Sequence, residues 1–267
     1  MLVGSAGSIA ILTYHSLDAS ESVISVAPRT FEDHMRCLEE LGFRGIALRE
    51  AVAHLAATGS WPANRVILTF DDGYANFFEI ARPIFSRYGF TATLFLVTQH
   101  VEGLNDWAPA PKGLGTQRML SWQQVVELSA GGIEIGAHTR THPNLCGLPA
   151  ETVAKEIVAS REDIESRIRQ SVQSFAYPFG RISAASEDVV RREFRAACTT
   201  ELRPVNRESL TRLPRIDAYY LRSQNSLRRL LEGRLDHYLT LRRLARSVRE
   251  YLTDATEAPR NQLNDRR

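Results

Sequence analysis

Cysteine is scarce in this 267-residue sequence, and the three that occur, Cys37, Cys146 and Cys198, stand far apart. An odd number of cysteines without CxxC spacing argues against a disulfide framework and against a zinc site built from thiolates. We therefore expect three buried free thiols, because unpaired cysteine is common in protein cores. Lysine is scarcer still, with Lys112 and Lys155 alone, so arginine supplies nearly all the positive charge.

Long hydrophobic runs and a strong net charge are also missing. The apolar stretch within residues 1–15 is too short to span a bilayer and has no basic region before it. It is expected to form a first core strand rather than a leader peptide. As the sequence is written, we expect a cytoplasmic protein. The net charge of +2 indicates no particular partner, and no nucleic acid is expected to bind.

Short apolar runs alternate with amphipathic stretches along most of the chain. The predicted strands are 9–15, 43–48, 65–70, 91–97, 133–138, the start of 174–180, 195–200 and 210–217. The predicted helices are 30–42 with Thr30 as N-cap, 49–58, 76–88, a helix capped by Ser121, 149–170 and 184–195. This alternation predicts parallel βαβ units, and about seven of them favour a barrel over a small open sheet.

The stretch TFDDGY places two carboxylates, Asp71 and Asp72, at the end of the predicted buried strand 65–70. Adjacent carboxylates repel each other, and burying them is costly unless a cation holds them. In parallel barrels, chemistry gathers at the carboxyl ends of the strands. The alternative is a plain strand-to-turn signal, since Asp and Gly both favour turns.

The stretch HTRTH places His138 and His142 four residues apart, and Pro143 biases His142 away from helical geometry. Two imidazoles and a carboxylate match a metal site with an open position, which Zn²⁺ accepts. Taken alone, two histidines at this spacing are more often unrelated surface residues. With the aspartate pair, one acid can bind the metal and the other can act as base on the metal-bound water.

The motifs TFDDGY, HTRTHPNL and FAYPFG, in that order, closely resemble those of the polysaccharide deacetylase family (carbohydrate esterase family 4, the NodB-like domain). The resemblance covers about residues 9–217. It implies a distorted (β/α)7 barrel and metal-dependent hydrolysis of an N-acetyl group from an amino sugar. It makes Asp71 the catalytic base. It makes Asp72, His138 and His142 the ligands of one divalent ion, expected to be Zn²⁺, with Co²⁺, Mn²⁺ and Ni²⁺ as alternatives.

The YPFG turn matches the third motif of the family. The resemblance implies that a backbone amide of this turn, here that of Phe179, helps to hold the oxyanion of the tetrahedral intermediate. Tyr177 and Pro178 are expected to form the substrate groove beside it.

The sequence departs from the family pattern at two places. The common third motif carries an arginine that orients the catalytic aspartate, and Ala176 stands at that position. The usual fourth motif, an aspartate pair followed by tryptophan, is replaced by LPRID. Arg215 is therefore a candidate for orienting Asp71, and a structural ion pair with Asp217 or another acid is the alternative.

The general acid also departs from the common arrangement, in which a histidine near the end of the domain protonates the leaving amine. His237 is predicted to lie on a basic helix, far from any strand end. His15 ends the first strand, and in a closed barrel the first and last strands are neighbours. Relatives with a YH pair near the start imply such a permuted acid, and an imidazole suits the task. The alternative is that His15 only hydrogen-bonds the following loop.

Trp107 lies in a loop, residues 98–120, that follows a strand end and is expected to cover the site. An exposed indole there could stack on a sugar ring. Equally, it could pin the loop to the core.

Residues 221–267 differ in composition from the rest, with 11 arginines against six acids. We divide the chain into a barrel, residues 1–220, and an arginine-rich helical extension, residues 221–267, that packs on the barrel or trails from it. The basic face is expected to be solvated. Peripheral contact with an anionic membrane or a lipid-linked substrate is the alternative.

Together these patterns predict a metal-dependent carbohydrate N-deacetylase that acts on an N-acetylated sugar in a polysaccharide or glycoconjugate. One rival is a deacylase of a small or lipid-linked N-acyl glycoside. A rival of another class is a catalytically silent carbohydrate-binding barrel, which the intact set of two aspartates and two histidines disfavours. A phosphatase with an aspartate nucleophile would have no evident use for the histidine pair.

Overall fold

The computed structural model describes residues 8–109, 112–206, 209–223, 225–235 and 237–245. Its strands are β1 Ala10–Tyr14, β2 Arg44–Ile46, β3 Arg65–Phe70, β4 Thr93–Leu96, β5 Glu134–Ala137, β6 Ser174–Ala176, β7 Ala196–Cys198 and β8 Ile216–Asp217. Its helices are α1 Pro28–Glu40, α2 Leu48–Thr58, α3 Arg82–Tyr88, α4 Trp122–Ala130, α5 Ala150–Ile168, α6 Ala184–Glu193 and α7 Ser226–Leu231, and residues 237–245 are also helical.

The named strands form one parallel sheet in the order β7-β6-β5-β4-β3-β1-β8. Apart from the first residue of β3, the residues of β1 and β3 are all buried. Their apolar, β-branched composition suits strands that are covered on both faces. β2 lies off this path and pairs with the first half of β3, whereas β4 pairs with its second half. This irregular pairing distorts the sheet.

Residues 213–217 bring the two ends of the curled sheet together. Within this segment, Ile216 pairs with Leu12 of β1, while Leu213 forms a parallel bridge with Cys198 of β7. The carboxyl ends of the strands therefore surround one opening, which is where a barrel of this kind carries its chemistry. The predicted distorted α/β barrel is confirmed.

The helices cover the outside of the sheet with their apolar faces. In α1, Phe31, Met35 and Leu38 are buried, at the spacing that lines one side of a helix. The predicted cap of α4 is confirmed, since Ser121 and Gln124 form a capping box.

Three local predictions differ from the structure in detail. The helix predicted to start at Thr30 begins at Pro28, because proline suits the first helical position. The helix predicted over 76–88 is confirmed, except that its first part, Phe77–Ala81, is π-helical and leads into α3. The strand predicted over 210–217 is a 3-10 turn followed by a two-residue strand. Pro214, which lacks a backbone N–H, interrupts the ladder there.

Two of the cysteines also differ from the expectation. Cys198 is buried in β7, but Cys37 is half-buried and Cys146 is exposed. Cys146 lies in the loop between β5 and α5, away from the packed elements.

The described part of residues 221–267 packs on the barrel. Its buried leucines belong to the same core cluster as β1, β3 and α1, and they are Leu221, Leu227, Leu230, Leu231, Leu235 and Leu239. The division of the chain at residue 220 stays a prediction. Among the residues that the structure describes, no helix has the length and apolar character needed to cross a membrane.

Candidate active site

The two aspartates lie at the carboxyl end of β3, where a left-handed turn begins. The Asp71 N–H donates to the Tyr14 carbonyl at 3.0 Å, which continues the ladder by one residue. Asp72 has φ 74° and Gly73 has φ 90°. A Cβ on Gly73 would come within 2.8 Å of the Leu96 side chain. Glycine is therefore required after the aspartates, so that the chain can turn tightly against β4.

The two histidines lie beyond the end of β5. The Nδ1 of His138 lies 2.7 Å from the Ala176 carbonyl. A carbonyl can only accept, so Nδ1 carries the proton and Nε2 of the neutral ring offers a lone pair. The turn that follows has left-handed backbone at Thr139 (φ 66°) and His142 (φ 58°), and the Thr139 hydroxyl accepts the His142 N–H at 3.1 Å.

Three side chains converge as a metal site requires. The Oδ1 of Asp72 lies 3.5 Å from Nε2 of His138 and 3.6 Å from Nε2 of His142. One donor atom from each residue lies within 4.8 Å of the others. Donors about 2.1 Å from a tetrahedral ion are about 3.4 Å apart, so the group fits Zn²⁺ or an ion of similar size. All three residues are buried.

The electrostatics of the three residues fit a cation as well. Burial would raise the pKa of Asp72, but the His138 hydrogen bond and the nearby imidazoles outweigh it and hold the pKa well below its ordinary value. Burial and then the neighbouring His138 lower the pKa of His142 to about 3, so its ring is neutral. Burial would lower the pKa of His138, yet the hydrogen bond with Asp72 and the two carboxylates raise it. The two carboxylates therefore make this position favourable for positive charge, as a metal site requires.

Arg215 forms an ion pair with Asp71, the second aspartate of the site. Its Nη1 and Nη2 donate to the two carboxylate oxygens of Asp71 at 2.6 and 2.7 Å. Its Nε donates to the Thr199 carbonyl at 2.8 Å, and both charged side chains are buried. Burial would raise the pKa of Asp71, but the charge of Arg215 outweighs it and lowers that pKa. The structure thus brings Arg215 to Asp71 rather than to Asp217.

His15 lies on the same side of the barrel as the aspartates. Its Nε2 is 3.7 Å from Oδ2 of Asp71. Its Nδ1 is buried and has no hydrogen-bond partner among the described residues. His237, in contrast, is exposed on the helix at 237–245 and does not line the cavity at the barrel mouth.

The YPFG turn borders the histidines. Phe179 has φ 57°, and its ring packs edge-on against His142 with 4.7 Å between centroids. Gly180 has φ 68°, and a Cβ there would lie 2.6 Å from the Thr200 nitrogen, so the turn requires glycine. Tyr177 and Phe179 line the cavity, whereas Pro178 is buried behind it.

Trp107 differs from the exposed residue that stacking on a sugar would require. It is 6% exposed, and its ring lies 5.2 Å from His142 and 4.9 Å from His100 between centroids. The loop that carries it therefore covers His142 on one side, while Phe179 covers it on another. The reason is packing, because the indole is enclosed by Tyr74 and Val97 and by two side chains of its own loop, Leu114 and Met119.

Two sets of residues at the site were not foreseen from the sequence. Glu156 of α5 accepts hydrogen bonds from the backbone of Arg140 and Thr141 at 2.9 and 3.0 Å and so supports the loop between the histidines. Part of the remaining wall of the cavity comes from the chain after β8 and is formed by Tyr219, Tyr220 and Arg242. Glu156, Tyr219, Tyr220 and Arg242 lie outside the sequence motifs, and a glutamate on a helix or an arginine in a basic segment gives no signal of its own.

One cavity of about 370 Å³ lies at the carboxyl ends of the strands, and its lining includes the two aspartates, His138, His142, His15 and Arg215. Its size falls in the range of small-molecule sites. The chain is therefore an α/β barrel whose mouth holds a candidate metal site, formed by Asp72, His138 and His142, and a second carboxylate, Asp71, that is paired with Arg215.

Comparison with known proteins identifies the family. Residues 58–193 match the model of the family described as polysaccharide deacetylase, and the chain belongs to this family. YxkH, a Bacillus subtilis member, is 30% identical over 171 residues, which are 64% of this chain and 56% of YxkH. The poly-beta-1,6-N-acetyl-D-glucosamine N-deacetylase of Staphylococcus aureus (strain MRSA252) is 24% identical over 177 residues, which are 63% of this chain and 58% of that protein. The alignments thus span less than two thirds of either relative.

Solved structures share the fold. The Streptococcus pyogenes deacetylase PplD, determined in complex with acetate, superposes with a TM-score of 0.74 at 23% identity, covering 85% of this chain and 100% of that one. IcaB from Ammonifex degensii superposes with a TM-score of 0.71 at 22% identity, covering 86% and 98%. At these identities the likeness supports the fold alone.

Proposed function

We propose that this chain hydrolyses the N-acetyl group of an amino sugar with the help of one divalent ion bound by Asp72, His138 and His142. The observation that carries the proposal is that the two aspartates have different partners. Asp72 faces both imidazoles at 3.5 and 3.6 Å, while Asp71 is held by Arg215. Zn²⁺ suits this donor set best, and Co²⁺, Mn²⁺ and Ni²⁺ are alternatives. When bound, the ion would polarise the acetyl carbonyl and make a water molecule more acidic.

Asp71 takes the proton of the attacking water in this scheme. Its lowered pKa keeps it ionised at neutral pH, so it is ready to accept that proton. Arg215 fixes the orientation of the carboxylate through two parallel hydrogen bonds, which is the arrangement that arginine favours. A base oriented in this way contributes about 10²–10⁴ in rate.

His15 and the YPFG turn complete the reaction. As the water oxygen bonds to the acetyl carbon, the backbone N–H of Phe179 stabilises the charge on the former carbonyl oxygen. His15 then donates a proton to the sugar nitrogen while the C–N bond breaks. The products are acetate and a free amino sugar, and the proton that Asp71 received can restore His15, whose Nε2 is 3.7 Å away.

The substrate that we propose is an N-acetylated glycan such as a polymer of N-acetylglucosamine. The poly-N-acetylglucosamine deacetylases among the relatives and the open cavity at the barrel mouth support this class. A small or lipid-linked N-acyl glycoside is the alternative substrate. A silent carbohydrate-binding barrel is disfavoured, since it would not need an aspartate held by a buried arginine.

Contact with a membrane or a lipid-linked substrate through the C-terminal helix stays a prediction. Two features support it: Leu241 and Leu244 are 67% and 57% exposed on the helix at 237–245, and Arg242 and Arg243 lie between them. Binding to anionic vesicles, compared with neutral ones, is the direct test. The cytoplasmic location also stays a prediction, which a reporter fusion of the native gene would check.

Acetate release is the experiment that tests the proposed function. Purified protein would be incubated with a panel of N-acetylglucosamine oligomers and small N-acetylated glycosides, and bound metal would be measured on the same sample. The proposal expects acetate and free amine in equal amounts from at least one glycan. Binding of the glycans without any acetate, at full metal occupancy, would favour the silent barrel instead.

A further inference from the structure

The outer wall of the cavity comes from the chain after β8, which none of the sequence motifs reaches. Tyr219, Tyr220 and Arg242 line the same cavity as His15 and Asp71. This wall is a second region of the site, and it is separate from the residues assigned to metal binding and proton transfer.

The wall is anchored to the barrel at several points. The Nε2 of His34 donates to the Leu221 carbonyl at 3.0 Å, while its Nδ1 accepts from the Tyr14 hydroxyl at 2.9 Å. Arg222 donates to the Ser22 carbonyl at 2.8 Å and lies 4.2 Å from the centroid of the Tyr219 ring. These contacts fix the 3-10 turn Ala218–Leu221, so the tyrosines at the mouth are held in place.

Arg242 is the cation of this wall. Its guanidinium carbon lies 5.2 Å from the centroid of Tyr238 and 6.0 Å from that of Tyr220. A hydrogen bond with Tyr238 raises the pKa of Arg242, and the nearby phenols of Tyr238 and Tyr220 raise it further. Its side chain is exposed at the mouth. Contacts with aromatic rings leave in-plane N–H groups of a guanidinium available for an anion.

The other charges of the cavity are engaged with one another. Arg215 is paired with Asp71, and Asp72 faces the two histidines. The carboxylate of Asp217 accepts the Tyr219 N–H at 2.9 Å. Its negative charge also helps to raise the pKa of Arg215. With a divalent ion bound, the formal charge of the cavity lining is positive, and Arg242 is its exposed cation.

We propose that Tyr219, Tyr220 and Arg242 form a subsite for a sugar that carries a carboxylate or a phosphate next to the N-acetylated sugar. This inference rests on the proposed function and narrows its substrate to acidic glycans. The tyrosine rings offer a surface for a sugar ring, and the guanidinium offers paired N–H donors that match a carboxylate or phosphate.

Three disaccharides with the same linkage provide the test. Each contains N-acetylglucosamine, and the neighbouring sugar is glucose, glucuronic acid or glucose 6-phosphate. The native protein is expected to release acetate from the two acidic disaccharides with a kcat/KM about five- to tenfold higher than from the neutral one, since charge-assisted hydrogen bonds are the stronger kind. This preference for the acidic disaccharides should come from a lower KM, and it should become smaller as salt is added. A preference for one acid alone identifies carboxylate or phosphate as the group recognised.

Arg242→Gln is expected to reduce kcat/KM for the acidic disaccharides to the level of the neutral one. The matched control is Arg229→Gln, since Arg229 is exposed on α7 and does not line the cavity; it should keep the full preference. Equal kcat/KM for all three disaccharides in the native protein would overturn the inference. So would an Arg242→Gln variant that prefers acidic disaccharides as strongly as the control.

Calorimetric titration separates this inference from the proposed function. The native protein and Arg242→Gln would each be titrated with the glucuronic acid and glucose disaccharides. If no disaccharide releases acetate, the proposed function fails, yet a drop of about five- to tenfold in the affinity of Arg242→Gln for the acidic ligand alone would still support the subsite. Equal affinities of both proteins for the acidic ligand would refute the subsite whether or not acetate is released.

Discussion

Replacing Arg215 with methionine tests how the proposed base is held. Methionine keeps an unbranched side chain but removes the guanidinium that donates to both oxygens of Asp71 at 2.6 and 2.7 Å. Since both side chains are buried, the change leaves a buried charge without its partner, which costs about 3–5 kcal/mol of unfolding free energy. The lost hydrogen bond to the Thr199 carbonyl adds about 1 kcal/mol.

The loss of unfolding free energy in Arg215→Met depends on pH, because a protonated Asp71 is neutral and no longer leaves a buried charge without a partner. In the native protein its pKa is lowered, so the ionised form stabilises the fold above the unfolded pKa of about 3.9. That contribution is lost as the pH falls through the folded pKa. Without Arg215, burial dominates and raises the pKa of Asp71 above its unfolded value. The destabilisation is then greatest near neutral pH and shrinks towards acid pH.

Two measurements check this reasoning. Urea unfolding of the native protein and Arg215→Met at about pH 7 and about pH 5 gives the stability difference at each pH. The pH profile of kcat/KM should show an acid limb moved to higher pH in the variant. Arg212→Met is the control, because the Arg212–Glu187 pair lies at the surface and should cost at most about 1 kcal/mol. An equal loss of stability at both pH values, with an unmoved acid limb, would refute the account of Asp71.

Three further predictions follow from the site. His138→Ala should lose bound metal and activity together, since it removes one of three ligands; full metal occupancy by elemental analysis would contradict the ligand assignment. His15→Ala should keep its fold and metal but lose most of kcat, whereas His237→Ala should match the native protein; the reverse pattern of acetate release would disprove the permuted acid. Trp107→Leu should weaken metal affinity about tenfold, because it removes a ring that packs on His142; a chelator competition that shows native affinity would limit this residue to loop packing.

The placement of side chains at the strand ends could be predicted because short motifs and strand boundaries coincide. TFDDGY follows a run of apolar, β-branched residues, and parallel strands end at one side of a barrel, so the convergence of Asp71, His15 and His138 follows from the pattern. Arg215 could be proposed because its motif stands where the family pattern is broken. The structure adds that Arg215 donates two hydrogen bonds to the carboxylate of Asp71, which the sequence could not specify.

Features that depend on packing between distant segments were not predictable. Burial of Trp107 results from side chains that the loop gathers around it, and no local pattern encodes them. Glu156 reaches the histidine loop from α5, and a solvent-facing glutamate would give the same sequence signal. The placement of Arg242 in the cavity wall depends on how the C-terminal segment packs on the barrel, which its composition leaves open.

The proposed roles of the two aspartates, Asp71 as base and Asp72 as metal ligand, are tested most directly by Asp71→Asn and Asp72→Asn. Bound metal and acetate release are measured on the same samples. The account predicts that Asp71→Asn keeps its metal and loses turnover, because a base is lost and a ligand is not. It predicts that Asp72→Asn loses metal affinity first and regains part of its activity at high metal concentration. Loss of metal in Asp71→Asn, with full occupancy and no turnover in Asp72→Asn, would contradict it.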